Sequence, residues 1–406
     1  MTRLRTAVDR HPLALLALGL LLLPWLLGAW VGPVTLALVA VAALGCWSYY
    51  LLWGQGGMLS FGHAVYSGMG AYGAVWALRA LADSPWQGSA WATLAVALTP
   101  LAGALVAAAV AAPLGALVVR RPGMALAMIS LALGELVFAL ALMFPAWSGG
   151  EAGLSANRVL GAPVLGITWA DKWQVYGLAA ATLWLGVALL RGWMASGAGA
   201  LLRAVRDNPQ RVAALGHNPV RVRWAAHTLA AALAGAAGAV GALVFEMVSP
   251  EALGAQRSGA WMLFTVLGGA QHFWGPLIGG ALMVGAQVGL SGITPAWALY
   301  VGLLFVLVLL AAPGGVAGVL AGGLQAPSVR CGRWWWGLAL AAGGGVVLVE
   351  MLYHWQARAW LGYGLTLLGQ PWATDVAWHW ALPALACAAG LALLWAQRRA
   401  HRGQGA

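Results

Sequence analysis

Four side chains stand where an apolar sequence gives no packing reason for them. Glu135 lies near the middle of the apolar run 124–146, and Gln55, Ser60 and His63 crowd the segment "WGQGGMLSFGHAVYSGMGAYGAV", residues 53–75. A carboxylate in hydrocarbon costs roughly 2.5–3.5 kcal/mol on insertion scales, so Glu135 must pair, protonate or face the protein interior. The chemistry open to it is a place in a solute pathway or a structural hydrogen bond between helices. Gln55, Ser60 and His63 must likewise face water, protein or a cavity, although Gln55 also fits a membrane-surface loop and Ser60 a capped helix start. Catalysis is not expected. The chain has no G-x-x-x-x-G-K-[ST], H-E-x-x-H or G-x-S-x-G and no pair of acids at catalytic spacing. His63, His217, His227 and His272 are scattered; Cys46 and Cys387 lie in apolar runs, Cys331 in a loop, and there is no C-x-x-C. Structural metals and redox chemistry are therefore not expected either.

The elements that must position these groups are membrane helices. Of 406 residues 62% are hydrophobic and 8% charged, against about 25% charged in a soluble domain. Apolar runs of about twenty residues, enough to cross roughly 30 Å of hydrocarbon, recur along the chain. They are continuous and rich in Ala, Leu and Val, as helices require, and lack the alternation of a membrane barrel. The expected fold is all-α and polytopic, with about 10–12 membrane segments, some short or interrupted: 12–31, 34–52, 61–81, 91–119, 124–146, 173–192, 222–245, 258–270, 276–291, 296–318, 334–353 and 381–397. The run from Leu13 to Leu27 reads as a retained first helix, since no signal-cleavage pattern follows it.

The net charge of +11 comes from Arg, with Lys172 the only lysine. A basic face for nucleic acid is not the reading, because the Arg residues cluster in short loops between spans, which sets orientation. The clusters Arg3 to Arg10, Arg120 and Arg121, Arg191 to Arg223, Arg330 and Arg333, and Arg398 to Arg402 fall on one side only if 258–291 crosses twice. Breaks at Gly268-Gly269 and Gly275-Pro276 make such a broken pair, and both termini are then cytoplasmic.

In "GAGALLRAVRDNPQRVAALGHNPVRVRW", residues 197–224, Asn208 reads as an N-cap, Pro209 as the first helical residue and Gly216 as the left-handed end. Val212 and Leu215 form a small apolar stripe, with Arg206 and Arg211 at its rim. The segment is either an orientation-setting basic loop or a docking helix for a cytoplasmic partner. Gly54, Gly56 and Gly57 predict an interrupted helix, and interruptions at membrane depth occur where backbone lines a pathway or is covered by protein. Small residues at helical spacing, Ala231, Gly235, Gly238 and Ala242, and again Ala64, Gly68 and Ala71, predict close helix packing.

Three stretches taken together resemble the permease subunits of bacterial branched-chain amino-acid ABC importers, the LivM type: "GQGGMLSFGHAVYSGMGAY"; "AMISLALGELVFAL" followed by "SGGEAGL"; and "RAVRDNPQRVAALGHNPVRVRWAAHTLAAALAGAAGAVGALVFEMVSP" followed by "LGGAQHFWGPLIGGAL". The likeness covers roughly residues 35–318. Ala152 stands where the family often carries an acid, with Glu151 one place earlier, and Ser130 replaces a common Thr. The resemblance implies a permease core over 1–320 and an extension over 321–406 with two further membrane helices, here expected to be peripheral. It implies a multi-pass protein of the bacterial inner membrane that pairs with a second homologous permease, carries two cytoplasmic ATPases and receives solute from a periplasmic binding protein. No cofactor is bound directly; ATP is used by the partner subunits. The docking-helix reading of 208–216 then takes precedence. The expected function is import of branched-chain amino acids or similar small polar solutes. Urea or short amides are the alternative within the superfamily, and an ion-coupled secondary transporter the alternative outside it.

Overall fold

The computed structural model describes residues 12–28, 30–292, 294, 296–312, 314–322, 332–361, 365–367, 370–372 and 377–403. Arg3, Arg5, Arg10, Arg330 and Cys331 lie outside them. The chain is an all-α polytopic membrane protein; among the described residues the only strands are two short antiparallel pairs, Leu154–Ser155 with Met247–Val248 and Leu365–Leu367 with Gln370–Trp372. Among the described residues five helices are long and apolar enough to span, at Pro33–Gln55, Thr99–Val118, Met124–Met143, Lys172–Ala195 and Pro219–Phe245, beside shorter apolar helices such as Pro12–Leu27. Two compact units are distinguished, residues 1–284 and 285–406.

The first unit contains α1 (Pro12–Leu27), α2 (Pro33–Tyr49, continued by a wide π turn over Tyr50–Gln55), α3 (Ala64–Ala82), α4 (Ala90–Ala97), α5 (Thr99–Val118) and α6 (Met124–Met143). After a loop come α7 (Lys172–Ala195), α8 (Gly197–Asp207), α9 (Pro209–Ala214), α10 (Pro219–Phe245), α11 (Ala255–Gly268) and α12 (Gly275–Val284). The single span expected over 91–119 is two helices. Pro100 has no N–H to offer the preceding turn, so the helix breaks at Leu98, and the Val96 carbonyl accepts from the Thr99 hydroxyl at 2.8 Å instead. The expected broken pair over 258–291 is found as α11 and α12. They pack antiparallel, Gly279 lying against the Phe264 carbonyl and Gly275 against Gly269, which turns the chain at φ +118°. The turn sits among Arg-rich elements: the Trp47 indole donates to the Phe273 carbonyl at 3.1 Å, and the Arg191 guanidinium lies over the Phe273 ring.

At the centre, α3, α5 and α10 meet at their small residues. A Cβ on Gly70 would reach the Gly235 carbonyl carbon at 2.6 Å, and one on Gly103 would meet both Gly70 and Gly235 carbonyls. Such backbone-to-backbone approach is how helices hold together where lipid is as apolar as leucine. Leu44, Trp47 and Leu51 of α2 then pack with Leu183 and Val187 of α7 and Leu233 and Val240 of α10. At the end remote from the Arg clusters, Arg158 ties the loop to α10, donating from Nε to the Trp169 carbonyl at 2.7 Å and from Nη1 to Leu243 at 3.0 Å.

The second unit contains α13 (Trp297–Ala311), α14 (Gly315–Gly322), α15 (Gly332–Leu361) and α16 (Ala377–Gly403). α15 and α16 form a hairpin in which Gly344 meets the Pro383 and Cys387 backbone. Glu350 of α15 accepts from the Thr294 hydroxyl at 2.5 Å and the Tyr300 hydroxyl at 2.7 Å. The hairpin is therefore bonded to Thr294 and to α13 through this one carboxylate.

Candidate functional site

The interrupted helix expected at Gly54–Gly57 is present. The π turn ends at Gln55, Gly57 takes φ +64°, and the chain runs without helix to Ala64. A strap of this kind leaves peptide groups without helical partners, and inside a membrane each needs another partner. Side-chain hydroxyls from three helices supply them. The Tyr49 hydroxyl (α2) donates to the Ser60 carbonyl at 3.0 Å, the Phe61 N–H donates to Ser130 Oγ (α6) at 3.0 Å, and the Ala64 N–H donates to Ser258 Oγ (α11) at 2.7 Å. Gly62 lies directly on the Ser130 carbonyl, where any side chain would collide.

His63 is fully buried, and its Nε2 lies 2.9 Å from Ser48 Oγ. Ser48 gives its single proton to the Gly45 carbonyl at 2.6 Å, so it can only accept from His63, which assigns the ring proton to Nε2. The imidazole stands edge-on to Tyr49, Tyr66 and Trp261, and the Tyr66 hydroxyl separately lies 2.9 Å from His227 Nε2. Ser60 is also buried, and Gln55 donates to the Tyr50 hydroxyl at 2.8 Å. Three of the four sequence candidates are thus gathered at one break, Ser60 and His63 fully buried and Gln55 half-buried.

Glu135 is placed differently. Its helix does reach the strap, through Ser130 and Gly134, but Glu135 is exposed on the opposite face with Met124, Met128, Leu142 and Met143. Among the described residues it has no hydrogen-bond or ion-pair partner. Glu135 thus neither pairs with a described residue of this chain nor packs inside it; α6 is apolar all round, so hydrophobicity did not reveal which face is turned to the body.

The Arg-rich segment holds the helix expected after Asn208. Asn208 Oδ1 accepts from the Arg211 N–H at 2.9 Å, Pro209 opens α9, and Gly216 closes it at φ +86°. Leu215 and Arg211 face outward, Leu215 72% exposed, but Val212 is only 3% exposed and turns into its own chain. Val212 and Leu215 therefore do not form one exposed stripe, because Val212 seals the turn against the body while Leu215 stays outside. Sequence reading missed α8, whose Leu202 and Val205 are buried. It also missed the destination of Arg206, whose guanidinium Nη1 donates to the Gly54 carbonyl at 2.7 Å across 152 residues of sequence. Among the described residues no cluster of His, Cys, Asp or Glu could hold a metal ion.

The site is thus a hydroxyl-braced break in one span of a polytopic helical bundle, with a carboxylate on an outer apolar face and a capped helix among arginines. The model of one protein family, described as branched-chain amino acid transport system / permease component, matches residues 32–313. The chain belongs to that family. No curated protein and no solved structure matches it.

Proposed function

We propose that this permease component is the membrane subunit of an ATP-driven importer for branched-chain amino acids or similar small polar solutes, in the bacterial inner membrane with both termini cytoplasmic. A second homologous permease, two cytoplasmic ATPases and a periplasmic binding protein complete the assembly, and residues 1–320 act as the permease core, with 321–406 as an added element. The observation that carries this reading is Glu135: an exposed, unpartnered carboxylate midway along α6 cannot face lipid without a cost of roughly 2.5–3.5 kcal/mol. A solute path shared with a second permease is the surrounding that removes this cost. Gln55 and His63 brace the break beside that path, with Ser60 buried within it. Arg211 and Leu215 with the Gly216 turn form the surface on which an ATPase docks. The test is solute uptake by the reconstituted assembly. ATP should drive it and a proton or sodium gradient should not; the reverse dependence would remove the reading.

A further inference from the structure

Arg206 closes α8, immediately before the docking helix, yet it points at the interrupted helix. Besides donating from Nη1 to the Gly54 carbonyl at 2.7 Å, it is aimed by Asp207, whose Oδ1 accepts from Nε at 3.1 Å. Its methylene stem lies along Gly57, where a Cβ would stand 2.8 Å from Arg206 Cγ. One turn earlier Leu202 packs at Gly56, next to Met58. The carbonyl it holds lies in the π turn, where the usual helical pairing is relaxed. Gly54 also abuts the Ala270 carbonyl in the turn joining α11 to α12. Beyond Gly57 the strap is fastened to α6 through Ser130 and to α11 through Ser258.

Movement of α9 therefore has a short bonded route to the break and to the helix that carries Glu135. We propose that Arg206 is the positioning residue that couples the ATPase-docking helix to the interrupted helix. It does so by holding the π turn of α2 to the end of α8, so that the two move as one body. The inference rests on the docking reading of α9. It assigns Arg206 to transmission, where the sequence alone placed it at the docking rim.

Two variants in the full assembly separate the two ideas. Leu215→Asp, on an exposed side chain, should lose co-purification with the ATPases; retained ATPases would remove the docking reading and this inference with it. Arg206→Ala should keep the ATPases bound and their basal hydrolysis unchanged. Solute taken up per ATP should fall about tenfold, the lower end of what losing one charge-assisted hydrogen bond does to an equilibrium. Arg206→Lys, which restores one donor, should recover part of the loss. Normal uptake per ATP in Arg206→Ala, or release of the ATPases by it, would overturn the assignment while leaving docking through Leu215 intact.

Discussion

The strap between α2 and α3 makes a quantitative demand on Ser130. Its hydroxyl accepts from the Phe61 N–H at 3.0 Å and donates to the Ala127 carbonyl at 2.9 Å. Ser130→Ala leaves the peptide donor without a partner. An orphaned buried donor costs about 1–3 kcal/mol, and Gly62 seated on the Ser130 carbonyl leaves little space for a replacement. The upper half of the range applies, about 2–3 kcal/mol, or roughly a 30- to 150-fold change in an equilibrium. At about 2 °C per kcal/mol for a unit of this size, the thermal midpoint of the purified full chain in detergent, followed by tryptophan fluorescence, should fall by about 4–6 °C. Ser60→Ala is the matched control. That hydroxyl is buried without a partner, so its removal should move the midpoint by less than about 1 °C. Equal shifts for the two variants, or none for Ser130→Ala, would refute the claim that side-chain hydroxyls hold the strap.

Gly70→Ala places a methyl group against the Gly235 backbone, which cannot rotate away. It should lower the yield of folded chain and destabilise it by about 1–3 kcal/mol or more, read as a lower thermal midpoint; a midpoint equal to the parent's would contradict the close approach of α3 and α10. Glu135→Leu removes an exposed, unpartnered group, so folding should be unchanged while uptake by the reconstituted assembly falls; unaltered uptake kinetics would take Glu135 out of the path. In the second unit, Glu350→Gln and Tyr300→Phe should be non-additive in a thermal double-mutant cycle, with coupling of about 0.5–3 kcal/mol. Additive losses would mean that the 2.7 Å bond between them contributes nothing. Removal of residues 323–406 deprives Thr294 and Tyr300 of their acceptor, so it should lower the midpoint; an unchanged midpoint would mean that these bonds contribute nothing.

The legible features share one property: their causes are local. An apolar run long enough to span needs no tertiary information, nor does a helix begun by Asn208 and Pro209 and ended by Gly216, because its cap bond reaches three residues. The glycines at 54, 56 and 57 foretold a break for the same reason. What the break does was not legible. Its peptide groups are met by Ser130 and Ser258, 69 and 194 residues away in sequence, and only the packing of α6 and α11 brings those hydroxyls to it. Arg206 reads as an arginine at the rim of the docking helix until α8 is folded against Gly54. The faces of the helices were hidden for a further reason. In water, polarity marks the outside of a helix, but a membrane helix is apolar all round. Glu135 could therefore be recognised as costly from sequence, while its outward direction, and the inward turn of Val212, were decided by the tertiary structure.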